Sequence, residues 1–189
     1  YFTYVSEELP AVCRRMFGLS AARERNYIFG LSMGGYGALH AAFSDPDAFC
    51  AVGSFSGAID INSLVENADA LGRNSDCGAD FRNEIVAVLG SERRIAEKDD
   101  IIHLLTQAAK RERNPKIYLA CGIEDVLTYA QNNRLYAYLK TMPFDVRYEF
   151  WHGGHNWGFW NTALDKFLEH TVGIPQEDAF GGIPPYVKK

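Results

Sequence analysis

Residues 27–35 read YIFGLSMGG, a short apolar run followed by glycines that surround one serine. The run predicts a buried strand and the small residues after it predict a helix, with Ser32 in the turn between them. This is the G-x-S-x-G pattern, in which a tight strand-to-helix turn lifts a serine hydroxyl above a sheet for nucleophilic attack. Crowding in that turn predicts that Gly30 and Gly34 must lack a side chain, and that Gly35 lets the helix approach closely.

Helices and strands alternate along the rest of the chain. Three nearly unbroken apolar runs, at residues 27–29, 50–55 and 117–121, predict parallel strands that are covered on both faces. A fourth run, at residues 144–150, alternates apolar with charged residues and predicts a half-exposed strand near a sheet edge. The predicted helices cover residues 9–17, 34–44, 101–108, 126–140 and 160–168. This order predicts an α/β fold with a mainly parallel sheet flanked by helices.

The domain organisation predicted from this alternation is a single α/β domain over residues 1–189. Residues 57–96 fit the pattern poorly and are rich in Gly, Asn, Asp and Ser, so they predict an insertion or cap over the loop end of the sheet. The segment 173–189, which contains a Gly-Gly and a Pro-Pro pair, predicts an extended tail.

The composition excludes several classes of protein. Hydrophobic residues make up 47% of the 189 residues and charged residues 23%, proportions typical of globular domains and not of disordered chains. A net charge of -5 without a basic stripe argues against a nucleic-acid partner, and no apolar run is long enough for a membrane span. The four cysteines form no C-x-x-C pair, which argues against a structural metal site and favours a reducing, cytoplasmic location.

A serine nucleophile needs a histidine base oriented by an acid, and behind a G-x-S-x-G turn the chain order is serine, acid, histidine. Residues 151–157 read WHGGHNW directly after the last predicted strand. His155 is the preferred base, because Gly153 and Gly154 let the loop bend and place it at the apex. His152 stays an alternative. His40 and His103, on predicted helices, and His170, near the end of the last one, are expected to be structural or solvated.

The candidate for the acid lies in residues 121–125, which read CGIED at the end of a buried strand. Asp125 is preferred and Glu124 is the alternative. A single acid after a strand is often a helix cap. Here the chain order, and the strand-end position shared with Ser32 and His155, favour an orienting carboxylate.

Five ordered motifs carry a resemblance to a known family. They are EELP at residues 7–10, GLSMGGYGA at 30–38, SFSGA at 54–58, CGIED at 121–125 and GGHNW at 153–157. Together they resemble the esterase D family of α/β-hydrolases, and within it the tributyrin esterases most. Relatives in that family include S-formylglutathione hydrolases and the feruloyl and acetylxylan esterases.

The resemblance implies a serine carboxylesterase that hydrolyses short-chain acyl esters through an acyl-enzyme intermediate, without a cofactor or metal. It implies Ser32 as the nucleophile, His155 as the general base and acid, and Asp125 as the orienting carboxylate. The backbone N–H of Met33 would be one oxyanion donor. Trp157, close to His155 in the sequence, is a candidate for the substrate pocket, with core packing as the alternative. The expected partner is a small-molecule ester.

The chain departs from that family at its beginning. The strand before Ser32 comes first here, whereas in the α/β-hydrolase fold it follows several strands, and a loop among them supplies the second oxyanion donor. We therefore expect the C-terminal two thirds of the fold, with an open strand edge that an upstream segment or a homo-oligomer covers. Two alternatives stay open: an acyltransferase of the same family, and an inactive fragment or non-catalytic module that lacks half the oxyanion hole.

Overall fold

A four-stranded parallel sheet forms the centre of the part of the chain that the computed structural model describes, residues 2–66, 87–90 and 95–173. Its strands are β1 (Tyr27–Leu31), β2 (Ala51–Phe55), β3 (Lys116–Gly122) and β4 (Val146–Trp151). They lie in the order β1-β2-β3-β4, and every pairing is parallel. The carboxyl ends of all four strands therefore meet at one edge of the sheet.

Helices connect the strands and cover both faces of the sheet, so the predicted α/β order is confirmed. They are α1 (Leu9–Phe17), α2 (Met33–Ser44), α3 (Ile61–Glu66), α4 (Ile101–Ala108), α5 (Tyr129–Leu139) and α6 (Trp157–Val172). A π-helical turn, Tyr4–Glu8, leads into α1. Within the described residues, none of the helices is both long and apolar enough to cross a membrane.

Two helices begin three residues away from the predicted position, because polar side chains fix their first turns. Helix α5 begins three residues later than predicted, since Asp125 accepts backbone N–H bonds from the residues just before Tyr129 and holds them in a turn. Helix α6 begins at Trp157, three residues earlier than predicted. Its cap is Asn156, whose side-chain oxygen accepts the N–H of Phe159 at 3.1 Å.

The two inner strands are buried on both faces, as their unbroken apolar runs predict. Successive side chains point to opposite faces and enter different clusters. Val52 and Leu119 pack with α2, α4 and α5, whereas Phe55 and Ala120 pack against α6. All four of these side chains are 0% exposed. This packed core is the rigid platform on which the loops at the carboxyl edge are built.

Strand β4 lies at a sheet edge and is half exposed, as the sequence predicts. Near its end, however, the apolar residue is the exposed one and the charged residue the more buried one. Phe150 is 54% exposed, whereas the side chain of Glu149 is only 19% exposed. Glu149 accepts a hydrogen bond from Arg147 Nε at 2.6 Å, and Lys166 Nζ lies 3.2 Å from it. These two cations compensate the partial burial of the carboxylate. Phe150 lies on the other face, where it packs edge-on against Tyr129.

Strand β1 forms the opposite edge of the described sheet. The prediction that this strand is covered on both faces is wrong for the described residues, because Phe29 in its middle is 44% exposed at the open edge. Its ring stacks on that of Phe55 at 6.0 Å. That a further segment or a second copy of the chain covers this edge stays a prediction. Most of the predicted cap at 57–96, and the predicted tail from residue 174 onward, lie outside the described residues.

Candidate active site

Ser32 lies in a strained turn between β1 and α2. Its backbone has φ 54° and ψ -122°, a conformation that residues other than glycine rarely adopt. The turn is fixed from both sides, because the N–H of Ser32 donates to Phe55 O at 2.9 Å and its carbonyl accepts from Gly35 N and Ala58 N, each at 3.0 Å. The hydroxyl is thereby held above the carboxyl edge of the sheet.

The glycines around Ser32 have different roles. A Cβ at Gly30 would lie 2.1 Å from the carbonyl oxygen of Gly34, so a side chain is excluded there, as predicted. A Cβ at Gly35 would lie 2.9 Å from Gly57 Cα and 2.7 Å from Ser54 Oγ, which confirms the close approach of α2. The prediction for Gly34 is wrong for the described residues, because a Cβ there would meet nothing within 4 Å. The crowding comes from its carbonyl, not from its Cα.

Three side chains from separate loops meet at this edge because all four strands are parallel. Ser32 directly follows β1, Asp125 lies three residues after β3, and His155 lies four residues after β4. His155 Nε2 lies 2.8 Å from Ser32 Oγ, and His155 Nδ1 lies 2.8 Å from Asp125 Oδ2. The structure thus brings together the three residues that the sequence singles out for the site.

Asp125 is buried, with a side chain that is 0% exposed. Its Oδ1 accepts the backbone N–H groups of Leu127 at 3.1 Å and Thr128 at 3.0 Å, and its Oδ2 accepts the Thr128 hydroxyl at 2.6 Å. Burial alone would raise the pKa of Asp125, but the hydrogen bonds from His155 and Thr128 outweigh it and hold that pKa below its ordinary value. The carboxylate is therefore ionised at neutral pH.

His155 is oriented by contacts on both ring nitrogens and on its edge. A carboxylate only accepts hydrogen bonds, so Nδ1 carries the proton that points at Asp125. Nε2 is then left as the acceptor for the hydroxyl proton of Ser32. The ring packs edge-on against Trp160 with centroids 4.9 Å apart, and its side chain is 20% exposed.

The two alternatives from the sequence pair with each other instead of with Ser32. His152 Nδ1 lies 2.7 Å from Glu124 Oε1, and both side chains face solvent, at 90% and 54% exposure. Asp125 and His155 are the pair that reaches Ser32.

The three remaining histidines form polar contacts of their own. His40 lies 3.0 Å from Asp99 Oδ1, and His103 lies 3.0 Å from Glu97 Oε1. His170 lies 3.3 Å from a guanidinium nitrogen of Arg147. These contacts agree with the structural or solvated roles expected for all three.

Met33 and Trp157 lie next to this group. Met33 is the first residue of α2, so its N–H has no acceptor within the helix and is available beside Ser32. The Met33 side chain is 76% exposed. Trp157 is 66% exposed and packs edge-on against Trp160, with centroids 5.4 Å apart. Trp160 thus contacts both the Trp157 indole and the His155 ring.

Sequence reasoning missed three residues that support the site. Thr128 binds Asp125, and its signal was the turn that an aspartate makes with the residues two and three positions later. Ser56 is fully buried with φ 48°, and its hydroxyl also lowers the pKa of Asp125. Trp160 packs on His155. Ser56 is far from Asp125 in the sequence, and the Trp160 contact depends on how the loop packs on α6, so neither leaves a local pattern.

A buried thiol also lies beside Asp125. Cys121 Sγ is 3.9 Å from Asp125 Oδ2 and 3.4 Å from Thr128 Oγ1. Burial raises the pKa of this thiol to about 12, so it stays neutral and does not compete with Ser32 as a nucleophile.

Comparison with known proteins places the chain in a family. The family model described as "Putative esterase" matches residues 1–171. The chain belongs to this esterase family. The esterase D resemblance of the five motifs is thereby confirmed, whereas the nearer likeness to tributyrin esterases stays a prediction.

Individual members of the esterase family match along most of the chain. An acetyl esterase from Caldicellulosiruptor saccharolyticus is 33% identical over 174 residues, which cover 88% of this chain and 61% of that relative. The solved structure of an S-formylglutathione hydrolase from Staphylococcus aureus matches with a TM-score of 0.74 and 25% identity, over 91% of this chain and 63% of that one. Fluorophosphonate-binding serine hydrolase F from the same organism matches with a TM-score of 0.70, 25% identity and the same coverage.

The structural neighbours confirm the α/β-hydrolase fold. The chain spans about three fifths of the length of these relatives, 61% and 63% for the first two.

Proposed function

We propose that the protein is a serine carboxylesterase in which Ser32 is the nucleophile, His155 the general base and acid, and Asp125 the orienting carboxylate. The observation that carries this proposal is a continuous hydrogen-bonded chain. It runs 2.8 Å from Ser32 Oγ to His155 Nε2 and 2.8 Å from His155 Nδ1 to Asp125 Oδ2. Membership in the esterase family supports an ester as the substrate.

Acylation begins with attack on the ester carbonyl. Ser32 Oγ bonds to the carbonyl carbon while its proton passes to His155 Nε2, and the carbonyl oxygen becomes an oxyanion. The N–H of Met33 donates to that oxyanion, a contribution that is typically worth about 10²–10³ in kcat. Asp125 stabilises the imidazolium. The bond to the alcohol oxygen then breaks, and His155 returns the proton to the departing alkoxide.

Deacylation repeats the same steps with water. His155 Nε2 takes a proton from a water molecule, whose oxygen bonds to the acyl carbon. The second oxyanion collapses, the bond to Ser32 Oγ breaks, and His155 reprotonates the serine. The carboxylic acid leaves and the enzyme returns to its starting state.

Short acyl groups are the substrate class that we propose. The acetyl esterase that is 33% identical supports a small acyl group. Met33 directly follows Ser32, and Trp157 lies two residues after His155. Their side chains are 76% and 66% exposed, so each is free to pack against a small apolar group that enters the site. We propose a small-molecule ester as the partner of this site.

The experiment compares wild-type protein with Ser32→Ala on p-nitrophenyl esters of acetate, butyrate and octanoate, using the full-length protein. We expect the highest kcat/KM for acetate or butyrate and a loss of at least about 10⁴-fold in kcat for Ser32→Ala, since the nucleophile is gone. Ser44→Ala is the matched control, because Ser44 lies at the far end of the same helix and is exposed. It should retain wild-type activity.

Two outcomes would contradict the proposal. Turnover by Ser32→Ala within about tenfold of wild type would exclude Ser32 as the nucleophile. A preference for octanoate would leave the serine mechanism in place and refute the short-chain substrate class.

A further inference from the structure

Glu124 joins the two loops that carry Asp125 and His155. Its Oε2 accepts the backbone N–H of Gly153 at 2.6 Å, and its own backbone N–H donates to the carbonyl oxygen of Gly153 at 3.1 Å. Its Oε1 lies 2.7 Å from His152 Nδ1. One residue thus makes three hydrogen bonds to two consecutive residues of the other loop.

The backbones of the two loops are in direct contact at this point. A Cβ at Gly122 would lie 2.0 Å from the carbonyl oxygen of Gly153, so the loops can only meet here through glycine. Gly153 itself has φ +151°, and a Cβ on it would lie 2.8 Å from the ring of Phe159. The backbone conformation of Gly153 is therefore fixed by its surroundings, and it sets the direction in which the following residues leave the contact.

His155 is only two residues beyond Gly153, and its ring must meet two partners at once. The ring spans from Asp125 to Ser32 with a hydrogen bond of 2.8 Å on each side. A small rotation of the loop would lengthen one of these bonds. A misplacement of about 1 Å at reacting groups can cost about 100-fold in rate.

We propose that Glu124 is a positioning residue for catalysis, which fixes the loop of His155 relative to Asp125 by binding the N–H of Gly153. The inference rests on the esterase function proposed above. The contact depends on the reach and direction of the Glu124 side chain, because the donor, the N–H of Gly153, is an uncharged backbone group at a fixed position. The N–H of Gly153, followed by His152, lowers the pKa of Glu124, so its carboxylate is ionised and accepts through both oxygens at neutral pH.

Four variants of the full-length protein separate the contacts. Glu124→Ala removes the side-chain acceptor, and Glu124→Gln keeps an oxygen at the same reach without the charge. Glu124→Asp keeps the charge but withdraws it by about 1.5 Å, one carbon–carbon bond, beyond hydrogen-bond distance of Gly153 N. His152→Ala removes only the exposed partner. Glu97→Ala is the matched control, since Glu97 is an exposed glutamate that pairs with His103 at 3.0 Å in another part of the fold.

We expect kcat on p-nitrophenyl acetate to fall about 10- to 100-fold in Glu124→Ala, with KM changed less than about twofold, because positioning of the base affects the chemical step. Glu124→Gln should recover most of the lost kcat, and Glu124→Asp should not. His152→Ala and Glu97→Ala should stay within about threefold of wild type, since exposed pairs contribute little. Melting temperatures measured in parallel show whether each variant is folded.

The comparison of kcat between Glu124→Gln and Glu124→Asp tests the proposal even if Glu124→Ala fails to fold. Wild-type kcat in Glu124→Ala, or a higher kcat in Glu124→Asp than in Glu124→Gln, would overturn it. Ser32→Ala in the same assay keeps the two proposals distinguishable. An inactive Ser32→Ala beside a fully active Glu124→Ala would refute the positioning role alone, whereas an active Ser32→Ala would refute the esterase mechanism itself.

Discussion

Replacing Asp125 by Asn tests how the site sets the protonation of His155. The new amide has one possible orientation, because its oxygen must accept the N–H groups of Leu127 and Thr128 that now bind Oδ1. Its NH₂ group then takes the place of Oδ2 and points at His155 Nδ1, 2.8 Å away. Two donors cannot face each other, so the imidazole proton moves to Nε2. That nitrogen then donates towards Ser32 and can no longer take its proton.

The expected loss follows from this change of tautomer. In serine hydrolases with the same arrangement, the corresponding substitution lowers kcat about 10⁴-fold, which is about 5 kcal/mol of transition-state stabilisation. The stability of the fold should decrease by less than this catalytic loss, because both backbone hydrogen bonds to Oδ1 are kept and only the contacts of Oδ2 change. We expect a decrease of about 1–3 kcal/mol in the free energy of unfolding.

The assay measures kcat on p-nitrophenyl acetate together with urea unfolding of each variant. Asp145→Asn is the matched control, since Asp145 is 67% exposed and lies 3.6 Å from Lys116, away from the site. It should change neither quantity appreciably. Activity of Asp125→Asn within about tenfold of wild type, in a protein that is folded, would refute the reasoning about the tautomer.

The Asp125 carboxylate, the glycines around Ser32 and the Trp157 indole each give a further prediction. The pKa of Asp125 in the folded protein lies below its unfolded value of 3.8. Its contribution to stability should therefore persist above pH 3.8 and decline as pH falls through the lower folded pKa. The free energies of unfolding of wild type and Asp125→Asn, measured with urea, should converge as the pH is lowered. Gly30→Ala should destabilise the protein by about 3 kcal/mol, whereas Gly34→Ala should leave its stability unchanged or raise it by up to about 1 kcal/mol, because alanine is the better helix former and a Cβ there meets nothing within 4 Å; equal melting temperatures would contradict this. Trp157→Ala should raise KM while changing stability by about 0.5 kcal/mol or less; an unchanged KM would exclude substrate contact.

Much of the fold could be predicted because its signals are local. The strand before Ser32, the glycine turn and helix α2 are consecutive, so one stretch of sequence contains the whole unit. The unbroken apolar runs of β2 and β3 report burial on both faces directly. Phe150 was harder, because its exposure depends on how much of β4 helix α5 covers, and that is a tertiary property.

The candidate site was predictable only in part. The chain order and the strand ends single out Ser32, and they narrow the acid and the base to two neighbouring candidates each. The choice between Asp125 and Glu124 depends on which carboxylate turns inward. In the structure it is Asp125, whose Oδ1 accepts the backbone N–H groups of Leu127 and Thr128. The contact of Trp160 with His155 depends on packing between the last loop and α6, which no local spacing encodes.

Labelling with a fluorophosphonate, a reagent that reacts with activated serines, tests whether Ser32 is an activated nucleophile. The full-length protein is incubated with the reagent, its intact mass is measured, and the adduct is located by peptide digestion. We expect a single adduct on Ser32, and none in Ser32→Ala, because only this hydroxyl lies 2.8 Å from His155 Nε2 in the described structure. A folded full-length protein without an adduct, or with its adduct on another residue, would contradict it.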